Sequence, residues 1–251
     1  DEVKADGFDL VDDFSDLFGM NAAGTDAKMR NTKESILEAQ FTPGAGNWCT
    51  WMFGRDLVNW NNNFTWAKWV TPSRDLISTF KQEGDEVRFK ESVVYYDCGW
   101  SNYYPSDNYP FMYKCRSANS SIIKYRYADV LLLKAEALIM QDTPDLEGAA
   151  DIIDEVRDRA KLGALSSSTR SNKDALLNAL LKERRLELAF EGQRWFDLVR
   201  LDKVEEVMNA VHAKDSGRKA QVYTYDKNSY RLPIPQSVID ANDKIHQNPG
   251  Y

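Results

Sequence analysis

The strongest constraint on the fold is a series of long helical patterns that begins after Ile122. The stretch "YRYADVLLLKAEALIM" is apolar nearly all round, which predicts a long, buried helix. Thr143 and Pro144 then supply the cap and the first residue of a second helix. Its apolar residues recur in steps of three and four, at Leu146, Ala149, Ile153, Val156 and Ala160, before Gly163 ends it. This repeat predicts a helix that faces a partner helix along one side.

A third helix follows at similar spacing. Ser171 and Asp174 mark its start and Gly192 its end. Its predicted inner side consists of Leu177, Leu181 and Leu188. Helices of this length joined by short turns pack as antiparallel pairs, which predicts an all-α fold with a tetratricopeptide-like helical-pair scaffold.

The last sixty residues are less regular. A fourth helix is predicted near Trp195, and Asp202 and Glu205 form a pattern similar to a capping box that restarts the helix. The tail "VYTYDKNSYRLPIP" predicts a small β-hairpin near the C-terminus, closed by residues 226–229. Extended, proline-rich chain follows it.

The amino-terminal half predicts short elements between loops. Residues 1–20 carry an apolar stripe at helical spacing, made of Phe8, Val11, Phe14, Leu17 and Phe18, which predicts an amphipathic helix. "TPSRDLISTF" predicts a short helix capped by Thr71 with Pro72 in its first turn. "EVRFKESVVYY" alternates in the manner of a strand, and "ESILEAQFT" mixes strand and helix signals.

Two aromatic stretches, residues 43–70 and 98–114, are predicted to be mostly loop because proline and glycine interrupt them. We therefore expect a loop-rich ligand-binding region over residues 1–121 and a helical-pair scaffold with a C-terminal hairpin and extended tail over residues 122–251.

Composition and motifs exclude several functions. The 251 residues carry a formal net charge of −7, and no basic cluster resembles a nucleic-acid-binding face. No run of roughly 20 apolar residues indicates a membrane span. Without a C-x-x-C pair, a histidine cluster or a glycine-rich phosphate loop, no metal, nucleotide or other cofactor is predicted.

The segment "ERRLELAFEGQRWFDLVRL", Glu183 to Leu201, concentrates charge among apolar residues. Oppositely charged residues lie three apart in four pairs: Arg184 with Glu187, Glu191 with Arg194, Arg194 with Asp197, and Asp197 with Arg200. Carboxylates beside arginines also occur in active sites. The structural interpretation is stronger, a corner between two helices tied by guanidinium–carboxylate bonds.

Four segments in order carry a family resemblance: "KYRYADVLLLKAEAL", "IIDEVRDRAKLGAL", "LLKERRLELAFEGQRWFDLVRL" and "LPIPQSVIDANDKIHQNPGY". Together they resemble the carboxy-terminal half of the SusD/RagB family, the cell-surface nutrient-binding lipoproteins of Bacteroidetes. "ESILEAQF" and "DLISTFKQEGDEVRF" resemble the middle region of that family. Members are much longer, with an amino-terminal helical half, a signal peptide and a lipidated cysteine, so we expect this chain to be a fragment that begins mid-protein.

The resemblance implies a non-catalytic protein whose irregular loops bind oligosaccharide on an exposed face of an all-α repeat scaffold. It also implies a location at the outer membrane, on the cell surface, through a lipid anchor absent from this chain. The implied protein partner is a SusC-like TonB-dependent transporter, over which the scaffold forms a lid.

A glycan-binding protein of this kind gives the tryptophan-rich stretch a function. Indole faces stack on the apolar C–H faces of sugars, and amides donate to and accept from hydroxyl groups. The candidate glycan-binding residues are Trp48, Trp51, Arg55, Asn59, Trp60, Asn62, Trp66, Trp100, Tyr103 and Tyr104. The alternative is that at least half of these tryptophans pack loops onto helices, and loop packing is an equal rival around Trp100.

Two other functions stay open at this point. The same scaffold can bind a peptide or another nutrient on its concave surface. A glycoside hydrolase with a carboxylate pair is less favoured, because no acidic residue falls in a recognisable hydrolase motif.

Overall fold

The structure is a computed structural model that describes residues 2–42, 46, 57–60, 70–98, 104–214 and 224–251. Its helices are α1 (Glu2–Ala5), α2 (Ser15–Phe18), α3 (Arg74–Glu83), α4 (Glu86–Ser92), α5 (Tyr127–Met140), α6 (Leu146–Arg159), α7 (Ser167–Arg170), α8 (Lys173–Glu187), α9 (Arg194–Arg200), α10 (Val204–Lys214) and α11 (Gln236–Ala241). The strands are β1 (Ser35–Ala39), β2 (Val93–Tyr96), β3 (Tyr109–Met112) and β4 (Ile122–Arg126), and a 3₁₀ helix spans Lys227–Tyr230. The mainly helical class is confirmed.

The chain forms two compact units, residues 1–192 and 193–251. This boundary differs from the compositional division after residue 121, so the assignment of ligand binding to residues 1–121 stays a prediction.

The core of the first unit is the helical-pair scaffold, α5, α6 and α8. Its fully buried side chains include Ala128, Leu132 and Ile139 of α5, Ala149, Ile153 and Val156 of α6, and Leu176 and Leu180 of α8. The predicted three–four repeat of α6 therefore does face partner helices. Most of α5 is buried, as predicted, but its apolar residues Leu133 and Met140 are 40% and 51% exposed.

Three helices have their N-caps one or two residues after the predicted positions. The side chains of Ser73, Asp145 and Asn172 accept hydrogen bonds from backbone N–H groups in the first turns of α3, α6 and α8, at 3.1, 2.9 and 2.9 Å. The predicted N-caps Thr71, Thr143 and Ser171 are wrong. In each helix, the side-chain oxygen of a residue one or two positions later accepts the hydrogen bond from the first turn.

The predicted helix over residues 1–20 is wrong; only α1 and α2 form. The carboxylate of Asp13 accepts from the N–H of Ser15 at 2.9 Å, and that of Glu34 accepts from the N–H of Val11 at 3.0 Å. Such side-chain bonds compete with the helix ladder. Four of the five predicted apolar positions are nevertheless buried, Val11, Phe14, Leu17 and Phe18.

Residues 86–92 form helix α4 and not the predicted strand. Gly84 takes the left-handed conformation at φ 68° that ends α3, and Asp85 caps α4 by accepting from the N–H of Arg88 at 3.1 Å. The strand begins only at Val93. β2 pairs antiparallel with β3, which lies in a segment predicted to be loop, and "ESILEAQFT" resolves into β1, which pairs antiparallel with β4.

The second unit holds α9, α10, the 3₁₀ helix and α11. The predicted hairpin is wrong over residues 224–251, which contain no strand; its first residues, 222 and 223, lie outside the described chain. Asp226 and Ser229 bond reciprocally as a capping box, and this starts a 3₁₀ helix where a hairpin turn was predicted.

Candidate functional site

Aromatic side chains gather on the antiparallel pair β2–β3. We call this group the ribbon cluster: Trp60, Tyr96, Tyr104, Tyr109 and Phe111. It encloses the buried residues Leu57 and Cys98. Because side chains alternate along a strand, Tyr96, Tyr109 and Phe111 share one side of the ribbon. The loop residues Trp60 and Tyr104 pack against these rings.

Trp60, a predicted glycan-binding residue, is half-buried in the ribbon cluster. Its ring stacks on Tyr96 with 4.8 Å between centroids and 19° between planes, and it lies tilted against Phe111 at 5.0 Å. One face of the indole is therefore occupied by protein. The role of Trp60 in glycan binding stays a prediction, and it concerns the part of the indole ring that remains exposed.

Tyr104, from the second predicted aromatic platform, is also half-buried. Its hydroxyl donates to the carbonyl oxygen of Pro72 at 2.7 Å, and the guanidinium of Arg74 lies 4.8 Å from its ring centroid. The ring meets Tyr109 edge-on at 5.7 Å. These contacts fix the loop onto the start of α3, in line with the packing alternative.

Most of the other candidates lie outside the described residues: Trp48, Trp51, Arg55, Asn62, Trp66, Trp100 and Tyr103. Their roles stay predictions. Of the ten candidates, the structure brings Trp60 and Tyr104 together in the ribbon cluster and places Asn59, which directly precedes Trp60 in sequence, in the lining of a cleft.

Asn59 is exposed and lines an open cleft of about 520 Å³. The rest of the lining comes from Ser15, residues 19–24, Lys28, Val58, Glu91, Tyr113 and Arg116. We call this the Asn59 cleft. The lining therefore combines loop residues 19–24 with residues that flank β2 and β3.

An ion pair lies at the ribbon side of this cleft. Arg116 Nη2 donates to Glu91 Oε2 at 2.8 Å and to the Glu91 carbonyl oxygen at 3.1 Å. Arg116 Nε donates to the Tyr113 carbonyl oxygen at 2.9 Å, and the guanidinium carbon lies 3.7 Å from the Tyr113 ring centroid. Sequence reasoning missed this pair, because the two residues are 25 positions apart and no spacing pattern joins them.

A second charged group is sealed inside the first unit. We call it the buried ion network: Glu34, Asp85, Arg88, Lys114, Arg126, Arg157, Arg159, Glu183, Glu187 and Glu191. Glu187 of α8 is at its centre and accepts from Arg88, at 3.0 Å, and from Arg126 and Arg159. The network thereby joins α4, β4 and α6 to α8.

The predicted ion pairs within residues 183–201 are only partly correct. Asp197 pairs with Arg200 at 3.0 Å as expected. Glu187 takes its partners from distant segments, and Arg184 bonds Asp129 of α5 at 2.8 Å. The sequence identified the residues that carry the charges but not most of their ion-pair partners. A charged side chain on a helix can pair with any element that packs on that helix.

Burial and neighbouring charges shift the titration of the network. Burial alone raises the pKa of Glu187, but Arg159, Arg126 and Arg88 outweigh it and hold that pKa well below the ordinary value. Burial lowers the pKa of Lys114 to about 8, against the attraction of Glu191. Burial raises the pKa of Glu183 despite Arg88.

The network does not resemble a hydrolytic centre. Glu183 and Glu187 are 0% exposed, whereas a glycosidase needs two carboxyl groups that flank a bound sugar. Within the part of the chain that the structure describes, no three acidic, histidine or cysteine side chains are arranged to hold a metal ion. The described helices are all too short or too polar to span a bilayer.

Comparison with known proteins gives one consistent result. The model of the SusD family matches residues 107–251. SusD-like protein P38 of Formosa agariphila is 41% identical over 139 residues, which cover 53% of this chain and 25% of that protein.

Solved structures extend the likeness over nearly the whole chain. A SusD superfamily protein of Parabacteroides distasonis matches with a TM-score of 0.73 and 22% identity, over 99% of this chain and 55% of that one. Surface glycan-binding protein A of Bacteroides thetaiotaomicron, in complex with laminarihexaose, matches with a TM-score of 0.72 and 19% identity, over 98% of this chain and 57% of that one. The chain spans little more than half of these structures, and at such identities the likeness concerns the fold.

Proposed function

The chain belongs to the SusD family, and from this premise we propose that it binds a neutral oligosaccharide through its loop-rich region. The observation that carries this is the shared fold with a protein solved in complex with laminarihexaose. The acidic net charge of −7 agrees with a neutral ligand and disfavours a polyanion.

The residues proposed to bind sugar are those of the tryptophan-rich stretch and its neighbours. Aromatic faces contribute contact area with little loss of conformational entropy, and amides orient the hydroxyl groups. Trp60 supports this role, because the ribbon cluster holds its ring in place while leaving part of it exposed. Rigid positioning of an aromatic ring lowers the entropy lost on binding.

We further propose that the bound oligosaccharide passes to a SusC-like TonB-dependent transporter at the outer membrane, on the cell surface, and that the chain has no catalytic role. The family resemblance supports this part. Co-purification of such a transporter with the protein from its native membrane is the expected result, and a preparation free of any transporter would count against it.

Calorimetric titration against a panel of neutral hexasaccharides, built on laminarin, starch, xylan and mannan backbones, tests the binding. We expect saturable heat with one class. Single replacement of Trp48, Trp51, Trp60 and Trp66 by alanine should weaken binding at one or two positions by roughly 10-fold or more. Trp69→Ala, in the same stretch but outside the candidate set, is the matched control.

The remaining outcomes separate the alternatives. Silence across the panel contradicts glycan binding and favours a peptide or another nutrient. Release of reducing ends from a bound polysaccharide would show a hydrolase instead.

A further inference from the structure

On the basis of the proposed glycan binding, we infer that the Asn59 cleft is a subsite for a sugar unit, whose neighbouring hydroxyl groups bind Arg116 and Glu91. The inference starts from two hydrogen-bonding atoms that the protein leaves unused. Arg116 Nη2 and Nε are engaged by Glu91 and by the Tyr113 carbonyl group. Among the described residues, Arg116 Nη1 and Glu91 Oε1 have no partner, and neither is sealed from solvent.

These two atoms belong to side chains that are held in place. Arg116 and Glu91 are only 5% and 9% exposed, and both line the cleft. The guanidinium is fixed by three hydrogen bonds and by the Tyr113 ring at 3.7 Å. The cleft is thus lined by a charged donor group and a charged acceptor group whose side chains are already ordered, so binding costs little further side-chain entropy.

A pair of adjacent sugar hydroxyls matches this arrangement. One hydroxyl accepts from the guanidinium while its neighbour donates to the carboxylate. Both bonds involve a charged partner and are stronger than bonds between neutral groups.

The charge of the lining also favours a neutral ligand. The charge of Arg116 is balanced by Glu91, and that of Lys28 by Asp16 at 2.6 Å. Neither cation is therefore available in full for an anionic group, which argues against a phosphate or sulfate ligand.

The dimensions suit a small portion of a chain. A volume of about 520 Å³ falls within the range of roughly 300–1,000 Å³ that ligand sites occupy. The cleft is open, and Asn59 belongs to the same tryptophan-rich stretch as the proposed aromatic platform. A glycan that contacts this stretch can therefore place one unit in the cleft.

Two variants test the subsite with the oligosaccharide of the panel that the parent binds, starting with laminarihexaose. Glu91→Gln keeps the shape and replaces the charged acceptor. Ala23→Leu adds bulk to the cleft lining at loop residues 19–24, where Ala23 is exposed. We expect Glu91→Gln to raise the dissociation constant by about 10- to 100-fold, the range expected for losing a hydrogen bond to a charged group. Ala23→Leu should also raise it, because the larger side chain occupies space that the sugar unit needs.

Glu83→Gln is the matched control, because Glu83 is a partly buried carboxylate, paired with Arg157 at 3.3 Å and with Lys182, that does not line the cleft. It should bind as the parent does.

If the parent binds and both cleft variants bind equally well, the subsite is wrong while the proposed function stands. If Glu91→Gln alone loses binding and its melting temperature falls further than that of Glu83→Gln, the loss reports folding and the subsite is again wrong. If the parent binds none of the panel, both ideas fail.

Discussion

The helical-pair scaffold and the loop-rich part of the first unit are held together by different forces. In α5, α6 and α8, apolar side chains that recur every three or four residues are buried against one another. The segments around α4, β3 and β4 are in addition fixed to α8 through Arg88, Lys114 and Arg126, which all bond Glu187 in the buried ion network. Regular packing builds the scaffold, and specific charge pairing determines how the irregular segments sit on it.

The largest expected effect comes from Glu187→Ala, which deprives Arg88, Arg126 and Arg159 of a shared carboxylate in the interior. Removing one member of a buried, hydrogen-bonded ionic group costs about 3–5 kcal/mol of unfolding free energy. Urea denaturation measures it. Glu147→Ala, which removes a 72% exposed partner of Arg170, is the control and should change stability by less than about 1 kcal/mol. Equal effects of the two would show that the network contributes no more than a surface pair.

In the apolar scaffold, the loss of unfolding free energy should grow with the volume of side chain that a substitution removes. Ile153 of α6 is fully buried among α5, α6 and α8. Ile153→Ala should cost about 2–5 kcal/mol and Ile153→Val about 0.5–1.5 kcal/mol, because the loss grows with the cavity that is left. Denaturation of both variants gives the ratio. A valine variant as unstable as the alanine variant would contradict simple packing at this position.

A pH experiment probes the network, since Lys114 is one of its members and titrates near pH 8. The pKa of Lys114 is about 8 in the folded protein, below its ordinary value of 10.5. Between these values the unfolded chain holds the proton and the folded protein does not, so folding becomes more favourable as the pH rises. Relative to Lys114→Met, the parent should gain about 2 kcal/mol of unfolding free energy between pH 7.5 and 9.5.

Glu191 retains two bonds from Arg126 in the methionine variant, at 2.7 and 2.8 Å, so the change isolates the lysine charge. Parallel stability profiles of parent and variant across this interval would refute the depressed pKa.

The smallest effect concerns the start of α8. Asn172 accepts from the N–H of Ala175 at 2.9 Å, so Asn172→Ala should cost about 1 kcal/mol, and Asn172→Ser should restore most of it. Thermal unfolding of the two variants checks this, and a serine variant no better than alanine would show that the cap contributes nothing.

Local periodicity explains why the scaffold was predictable. The repeat in α6 and the family resemblance both identified helical pairs, and the errors at Thr143 and Ser171 were limited to one or two residues, since neighbouring polar residues compete for the capping position. The buried partners of Glu187 were not predictable, because Arg88 lies 99 positions away and no pattern in one sequence records which distant charges meet.

The candidate site shows the same limit. Aromatic composition pointed to residues 48–66, and the structure adds that Trp60 is stacked on Tyr96. The sequence alone could not show that Glu91 and Arg116 meet beside Asn59, since their contact depends on how α4 and β3 pack. The candidates outside the described residues rest on chemistry and resemblance alone.

The central claim, that charge pairing to α8 holds the irregular segments while apolar packing holds the scaffold, is tested most directly by hydrogen–deuterium exchange of the parent and Glu187→Gln. The account predicts that amides of Val93–Tyr96 and Tyr109–Met112 exchange faster in the variant, while those of residues 149–154 in α6 keep their protection. Uniform acceleration across strands and helices would contradict it, because the network would then stabilise the whole unit and not the attachment of its loop-rich part.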